Sequence, residues 1–208
     1  MREPDAAFAD PRQAVLYDVF DDDRSDLDAY VAIAGELGAR HVIDIGCGTG
    51  SLAVRLAGEG LSVVGVEPAA ASLDVARTKP YADRVTWING DATALAGTAD
   101  MAVMTGNVAQ VFVSDADWSE TLTAVHAALR RGGWFVFETR RPEVRAWEGW
   151  DIAPTTVELP DGRTAVVART VTVVDLPLVT FEGSTTVGDE ILTSSSTLRL
   201  PRPGGGRA

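Results

Sequence analysis

Residues 41–50, His-Val-Ile-Asp-Ile-Gly-Cys-Gly-Thr-Gly, decide the fold of this chain. The stretch begins as a short apolar run typical of a buried strand, with Asp44 near its end. Three glycines then alternate with other residues, which permits a sharp turn and lets a ligand approach the backbone without meeting a Cβ atom. A helical pattern follows over about residues 51–57 and ends at two further glycines. A glycine-rich turn without a ligand would use the same residues, but the strand before it and the helix after it favour a ligand-binding turn.

The alternation of apolar runs and amphipathic segments continues from residue 40 to residue 139. It predicts further strands at residues 61–67, 84–88, 100–105 and 134–139, and helices at residues 69–79 and from about 114 to 131, the last ended by Gly132 and Gly133. Strands that alternate with helices in this way build a parallel sheet with helices on both faces. The predicted fold class is therefore α/β, with a doubly wound parallel sheet.

Different patterns flank this core. The first 40 residues contain helical patches at residues 11–20 and 26–37. After Trp150 the chain is rich in Val and Thr, with turn signals at Asp161-Gly162 and Gly188-Asp189. Strands are predicted at residues 155–158, 164–175, 178–187 and 190–200, which together form an antiparallel meander at the C-terminal end.

Composition narrows the classes of function. The net charge of −12 argues against nucleic acid, whose binding requires Lys and Arg to neutralise phosphates. No apolar run approaches the roughly 20 residues of a membrane span. The first residues do not resemble a signal peptide, and one cysteine, Cys47, cannot form an internal disulfide, so we expect a cytoplasmic protein without a membrane partner.

Dinucleotide binding is the nearest rival for the glycine turn. That use requires the spacing Gly-x-Gly-x-x-Gly, whereas the third glycine here comes one residue early. Asp44 at the strand end would also repel a pyrophosphate. An NAD-dependent oxidoreductase is therefore a less favoured alternative, and the turn suits a ligand without phosphates.

The segment from Asp44 to Gly50 resembles motif I of the class I S-adenosylmethionine-dependent methyltransferases of the small-molecule type. The resemblance implies a Rossmann-like sheet and S-adenosyl-L-methionine as cofactor. It also implies that Glu67 holds the ribose hydroxyls, that Asp91 accepts from the adenine amine, and that the Ala92 N–H donates to a ring nitrogen. A solvated strand end at Glu67 and a plain Asx turn at Asn89-Gly90-Asp91 remain alternatives. The cofactor-binding residues implied in this part of the chain are Asp44, Gly46, Cys47, Gly48, Gly50, Glu67, Pro68, Asp91 and Ala92.

The N-terminal helices resemble the lid that closes over the cofactor in many small-molecule methyltransferases. The resemblance implies that Tyr17 and Arg12 contact the cofactor, Tyr17 by a cation–π interaction with the sulfonium. An amphipathic helix that simply packs Leu16, Val19 and Phe20 would show the same pattern.

The loops after the fourth and fifth strands should face the methyl acceptor, because ligands of open α/β sheets lie beyond the carboxyl ends of the strands. Asn107, Gln110 and Arg140 are the candidates for contacts with the reacting groups, and Asn107 also for the cofactor. Arg140 either binds an anionic group of the methyl acceptor or forms an ion pair with Glu143. The side chains of Asn107 and Gln110 either contact the cofactor or the methyl acceptor, or only stabilise their own loop. The first loop lacks the Asn/Asp-Pro-Pro-aromatic element of methyltransferases that act on nucleic-acid amines.

No metal is expected, since His41 and His126 are isolated in the sequence and methyl transfer requires none. The catalytic residues stay unassigned beyond the three candidates, because a neutral amine needs no general base.

Four parts follow: a helical N-terminal lid (residues 1–39), a Rossmann-like cofactor domain (40–148), an antiparallel β insertion that covers the acceptor (149–200) and a flexible tail (201–208). Members of the family ordinarily continue with a final strand pair, which the ending Pro-Arg-Pro-Gly-Gly-Gly-Arg-Ala does not resemble. The expected function is in-line transfer of a methyl group to an N or O atom of a small molecule, in a chain that forms a homodimer. The alternative is a truncated or regulatory protein that binds S-adenosylmethionine without turnover.

Overall fold

The computed structural model describes residues 4–21 and 23–201, which form two sheets and six α-helices. The helices are α1 (Ala6–Ala9), α2 (Pro11–Phe20), α3 (Leu27–Glu36), α4 (Ser51–Gly58), α5 (Ala70–Ala76) and α6 (Asp115–Ala128). The parallel sheet contains β1 (His41–Ile45), β2 (Ser62–Glu67), β3 (Val85–Asn89), β4 (Ala99–Met104) and β5 (Leu129–Phe137). The antiparallel sheet contains β6 (Ile152–Glu158), β7 (Thr164–Asp175), β8 (Leu178–Val187) and β9 (Glu190–Arg199).

The parallel sheet has the strand order β3-β2-β1-β4-β5, so the order reverses between β1 and β4. Ile45 pairs with Val66, and Glu67 pairs with Asn89, which places the carboxyl ends of β1, β2 and β3 side by side. The predicted doubly wound α/β class is confirmed. Its strand-order reversal puts the ligand-binding crevice beside the glycine turn after β1.

Helices cover both faces of this sheet. On one face Leu27 and Tyr30 of α3 pack with Leu52 and Leu56 of α4 against the central strands. On the other face Val125 of α6 belongs to a second buried cluster that contains residues of β1, β2 and β4. Because β1 and β4 are buried from both sides, they are almost uninterrupted apolar runs, as expected for central parallel strands.

The boundary between α6 and β5 differs from the prediction. The helix ends at Ala128 and the strand begins at Leu129, so Gly132 and Gly133 lie in the strand instead of ending the helix. Leu129 pairs with Ala99 of β4, and a register shift follows before the regular pairing resumes. A Cβ atom on Gly133 would lie 3.0–3.2 Å from three backbone oxygens. Gly133 therefore permits close approach of β4 and β5, and Gly132 adopts a φ of +77°; local helical periodicity reveals neither role.

Helix α5 is also shorter than predicted. It ends at Ala76, and the N–H groups of Thr78 and Lys79 donate to carbonyls three residues earlier, so the expected last turn is a tighter turn. Helix α1 was not predicted from the sequence; it is a single turn in which the Asp5 side chain accepts from the Ala7 N–H.

The predicted C-terminal meander is confirmed, with the order β6-β7-β8-β9 and antiparallel pairing throughout. Its first strand begins three residues earlier than expected, at Ile152. Strand β5 pairs with β4 on one side, and no strand within residues 4–21 and 23–201 pairs with its other side. The predicted tail lies, apart from Pro201, outside the described residues. None of the described helices is long and apolar enough to cross a bilayer.

Candidate functional site

The glycine turn after β1 folds back onto β2. The N–H groups of Gly46 and Cys47 both donate to the carbonyl oxygen of Val66, over 2.8 and 3.1 Å. Gly48 has a φ of +54°, and no atom lies within 4 Å of the place where its Cβ would be. The backbone at Gly48 therefore faces open space, which is the property that a ligand in close contact with the turn requires.

Gly48 and Gly50 offer a matched pair of substitutions. A Cβ at Gly50 would lie 2.6 Å from the Trp87 ring and 2.8 Å from the Ala76 Cβ, at a φ of +78°. We expect Gly50→Ala to lower the free energy of unfolding by about 3 kcal/mol, since neither neighbour can move freely. Gly48→Ala should cost about 1 kcal/mol of backbone strain, yet weaken cofactor binding at least about tenfold by filling the approach to the turn. Urea unfolding and calorimetric titration separate the two effects. Unchanged affinity in Gly48→Ala would contradict the placement of the ligand.

Glu67 joins the turn to the end of β2. Its side chain is buried, and its two carboxylate oxygens accept from the N–H groups of Gly48, at 3.0 Å, and Ala69, at 2.9 Å. Burial raises the pKa of Glu67, and these two hydrogen bonds oppose that rise. Each oxygen keeps a second lone pair, so the carboxylate can hold the turn and still accept from a diol. The solvated strand end that the sequence left open does not describe this residue.

Asp44 lies in β1, two residues before the glycine turn, and only 1% of its surface is exposed. Neither of its carboxylate oxygens has a hydrogen-bond partner among the described residues. Burial, and next the charge of Glu67, raise the pKa of Asp44 to about 7, and the backbone N–H of Ala53 partly opposes that rise. An unpartnered carboxylate in a buried position destabilises the protein, and groups of this kind concentrate at functional sites. The position suits a ligand that brings positive charge.

The segment after β3 completes this edge of the sheet. The Asn89 amide donates to the carbonyl oxygens of Glu67 and Pro68, over 3.0 and 2.9 Å. One oxygen of Asp91 accepts from the N–H and hydroxyl of Thr93, and Ala92 is buried. The Asx turn that the sequence left open is therefore present. The contact of Asp91 and Ala92 with adenine stays a prediction.

An unexpected cluster ties the N-terminal helices to the turn. Asp18 of α2 accepts from the Thr49 hydroxyl at 2.6 Å and forms an ion pair of 2.6 Å with Lys79, the only lysine of the chain. Lys79 also donates to the hydroxyls of Thr49 and Ser51. Helix α2 thus lies across the glycine turn, as a lid would. Sequence reasoning missed Asp18, because nothing in the residues around it indicates this contact.

The two lid residues named from the sequence lie elsewhere on α2. Tyr17 packs against Phe8, with ring centroids 5.2 Å apart, and burial raises the pKa of its hydroxyl. The Arg12 guanidinium is exposed and donates to Asp10 and to Glu190 of β9. The structure therefore brings Asp18, and not Arg12, to the glycine turn, and a cofactor contact of Tyr17 or Arg12 stays a prediction.

A second concave region follows β4 and β5. A cavity of about 180 Å³ is lined by Gly106, Gln110, Glu138, Thr139 and Arg140. Arg140 donates to the side-chain oxygens of Asn107 and Gln110, so the three candidates named from the sequence lie together. Gln110 is 1% exposed, and its amide nitrogen has no partner among the described residues. The predicted alternative, pairing of Arg140 with Glu143, does not occur.

Tyr30 of α3 was missed because it belongs to an ordinary apolar helix face. It is buried, and its pKa is raised by burial and next by the neighbouring Glu138, to which it is hydrogen-bonded. Tyr30 therefore connects the packing of α3 to the cavity.

The two histidines lie outside both regions, exposed on β1 and α6, and no group of metal-binding residues occurs in the described part of the chain.

Comparison with known proteins identifies the scaffold. Residues 42–133 match the family described as "Methyltransferase domain". The matched segment covers less than half of the chain. It contains the glycine turn, Glu67, Asp91 and the first part of the cavity, so the resemblance drawn from the sequence is confirmed.

Similar proteins of known sequence or structure agree with this resemblance. A putative methyltransferase of Geobacillus sp. strain WCH70 is 32% identical over 108 residues, which is 50% of this chain and 44% of that protein. The chain thus spans less than half the length of this curated relative. Among solved structures, DesVI of Streptomyces venezuelae has a TM-score of 0.73 at 22% identity, over 90% of this chain and 83% of that one. CalS10 of Micromonospora echinaspora has a TM-score of 0.70 at 24% identity, over 90% and 81%. These likenesses show the shared fold.

Proposed function

We propose that this protein transfers a methyl group from S-adenosylmethionine to a nitrogen or oxygen atom of a small molecule. The observation that carries the proposal is the buried carboxylate of Asp44, unpartnered beneath a glycine turn whose backbone faces open space. A carboxylate so placed fits a ligand that brings positive charge, and a turn that admits close approach fits one without phosphates.

The residues present fit the cofactor in chemical detail. Glu67 offers free lone pairs for the ribose hydroxyls, and the backbone of Gly48 is open to contact. Asp44 supplies negative charge to a cation. When bound, S-adenosylmethionine supplies an electrophilic methyl group attached to a sulfonium. CalS10, of the same fold, is described as bound to S-adenosylmethionine and as an amino pentose methyltransferase, which supports both the cofactor and a small acceptor.

Catalysis by this chain rests on positioning. In-line displacement requires that the acceptor atom lie opposite the departing sulfur. Correct alignment of the two lowers the activation barrier by about 7 kcal/mol or more. The cavity at Gln110 and Arg140 lies beyond the carboxyl ends of β4 and β5, on the same edge of the sheet as the glycine turn. Gln110 and Arg140 orient the acceptor there, and Asp18 holds α2 across the turn to exclude water.

Two experiments test the proposal. Calorimetric titration with S-adenosylmethionine and with S-adenosylhomocysteine should show binding, and failure of both to bind would end it. Methyl release is then assayed against amines, carboxylic acids and phenols, with products identified by mass. Binding without turnover of any acceptor would favour the regulatory alternative. A homodimer and a cytoplasmic location stay predictions, the first tested by the molecular mass in solution.

A further inference from the structure

Two arginines meet at the seam between the parallel sheet and the antiparallel sheet. Arg140 follows β5, and its guanidinium carbon lies 5.4 Å from the centre of the Trp150 ring. Arg169 of β7 donates from Nε to the Trp150 carbonyl oxygen at 2.6 Å and lies 5.5 Å from the ring of Phe181. The two rings are themselves in edge contact, with centroids 5.7 Å apart. The four side chains therefore form one continuous cluster, which we call the seam cluster.

The arginines of the seam cluster differ from the others in the described ranges. Every other described arginine is exposed to solvent, forms an ion pair with a carboxylate, or does both. Arg140 and Arg169 are half-buried, and neither has a carboxylate within ion-pair distance among these residues. Acids are not scarce, since 30 Asp and Glu accompany 18 Lys and Arg. Two guanidinium groups without counter-charge at one place are unfavourable unless a ligand supplies it.

The neighbouring acids are engaged elsewhere. Glu138 lines the same cavity as Arg140 but interacts with the hydroxyl of Tyr30. Asp151 accepts from the Val171 N–H at 2.6 Å and is exposed. Burial, and next the charge of Arg140, lower the pKa of Arg169, while Asp151 partly opposes that effect. Both cations are therefore close enough to repel each other, and neither acid neutralises the pair.

We propose that Arg140 and Arg169 together bind one anionic group of the methyl acceptor, a carboxylate or a phosphate, at the seam cluster. This inference rests on the methyl transfer proposed above. Guanidinium groups donate in a planar fork that matches either anion. With its anionic group at the seam cluster, the methyl acceptor would extend into the cavity beside Gln110. The amide nitrogen of Gln110, which has no partner among the described residues, could donate a hydrogen bond to an oxygen atom of this molecule. The Trp150 and Phe181 rings would exclude water around the anion.

The test follows the Nε–Hε signals of arginine in NMR spectra while inorganic phosphate and acetate are added separately. We expect the signals of Arg140 and Arg169 to shift together and to saturate with a common Kd. Arg140→Met should weaken the binding seen at Arg169 at least about tenfold, and Arg169→Met should do the same at Arg140. Arg141→Met is the control, because Arg141 is the exposed neighbour in sequence, and it should change the Kd less than twofold.

The outcomes separate this inference from the proposed function. Tighter binding of phosphate supports a phosphate-bearing acceptor, and tighter binding of acetate supports a carboxylate. Shifts that fail to saturate with both anions, or that are as large at Arg141, overturn the inference. Each variant is also titrated with S-adenosylhomocysteine, and unchanged affinity shows that it is folded. Cofactor binding without anion binding overturns only the seam site, whereas anion binding without cofactor binding overturns the proposed function and leaves an anion site.

Discussion

Replacement of Glu67 by Ala should weaken the binding of S-adenosylmethionine by at least about 100-fold. The substitution removes the acceptors of two charge-assisted hydrogen bonds, from the N–H groups of Gly48 and Ala69, and leaves both donors without their partner. It also removes the oxygens offered to the ribose hydroxyls. The loss therefore combines a looser turn with the loss of direct contacts, and calorimetric titration measures it as a rise in Kd.

Two further variants identify the cause of that loss. Glu67→Gln keeps one oxygen acceptor at the same place, so we expect an intermediate affinity. Glu59→Ala removes an exposed acid just after α4 and should leave the Kd unchanged. If Glu67→Ala binds the cofactor within about threefold of the natural chain while Glu59→Ala does the same, Glu67 has no part in the cofactor site.

The edge of the sheet that contains the glycine turn could be predicted because its signals are local. A glycine turn directly after a buried strand, an acid at the end of the next strand and Asn89-Gly90-Asp91 after the third occur in chain order. Parallel register then places consecutive strand ends side by side, which the pairing of Glu67 with Asn89 shows. The end of α6 was not predictable in this way, because pairing of Leu129 with β4 replaced the helical turn that its own residues allow.

The periodicity of apolar residues could not predict contacts between segments that are distant in the sequence. Asp18 and Thr49 are 31 residues apart, and nothing in the pattern around either predicts their hydrogen bond. Arg169 is one of two arginines in the Val- and Thr-rich strands, and it differs from Arg199 in that it lacks a carboxylate partner in the described structure. Such features depend on which side chains the tertiary fold leaves unpaired, so they emerge only when the packing is known.

Asp44→Asn should have opposite effects on stability and on cofactor binding. In the folded protein the pKa of Asp44 is raised to about 7, whereas an exposed Asp titrates near 3.8. The folded state therefore holds a proton that the unfolded state releases between these values. The stability from this group is fully present below about pH 4 and is lost as the pH rises through about 7. Above that pH the natural chain contains a buried, charged and unpartnered carboxylate.

The asparagine variant cannot lose stability in this way. Its free energy of unfolding, relative to that of the natural chain, should rise by about 2–3 kcal/mol between about pH 5 and pH 8, measured by urea unfolding without cofactor. Affinity for S-adenosylmethionine should instead fall at least about tenfold at pH 7.5, since the negative charge opposite the cation is lost. In the natural chain, affinity should increase from about pH 5.5 to 7.5 as Asp44 ionises, and the variant should show a flat profile. A variant whose stability and affinity both fall would assign Asp44 a purely structural role, because only a carboxylate held unpaired for a ligand is costly before binding and useful after it.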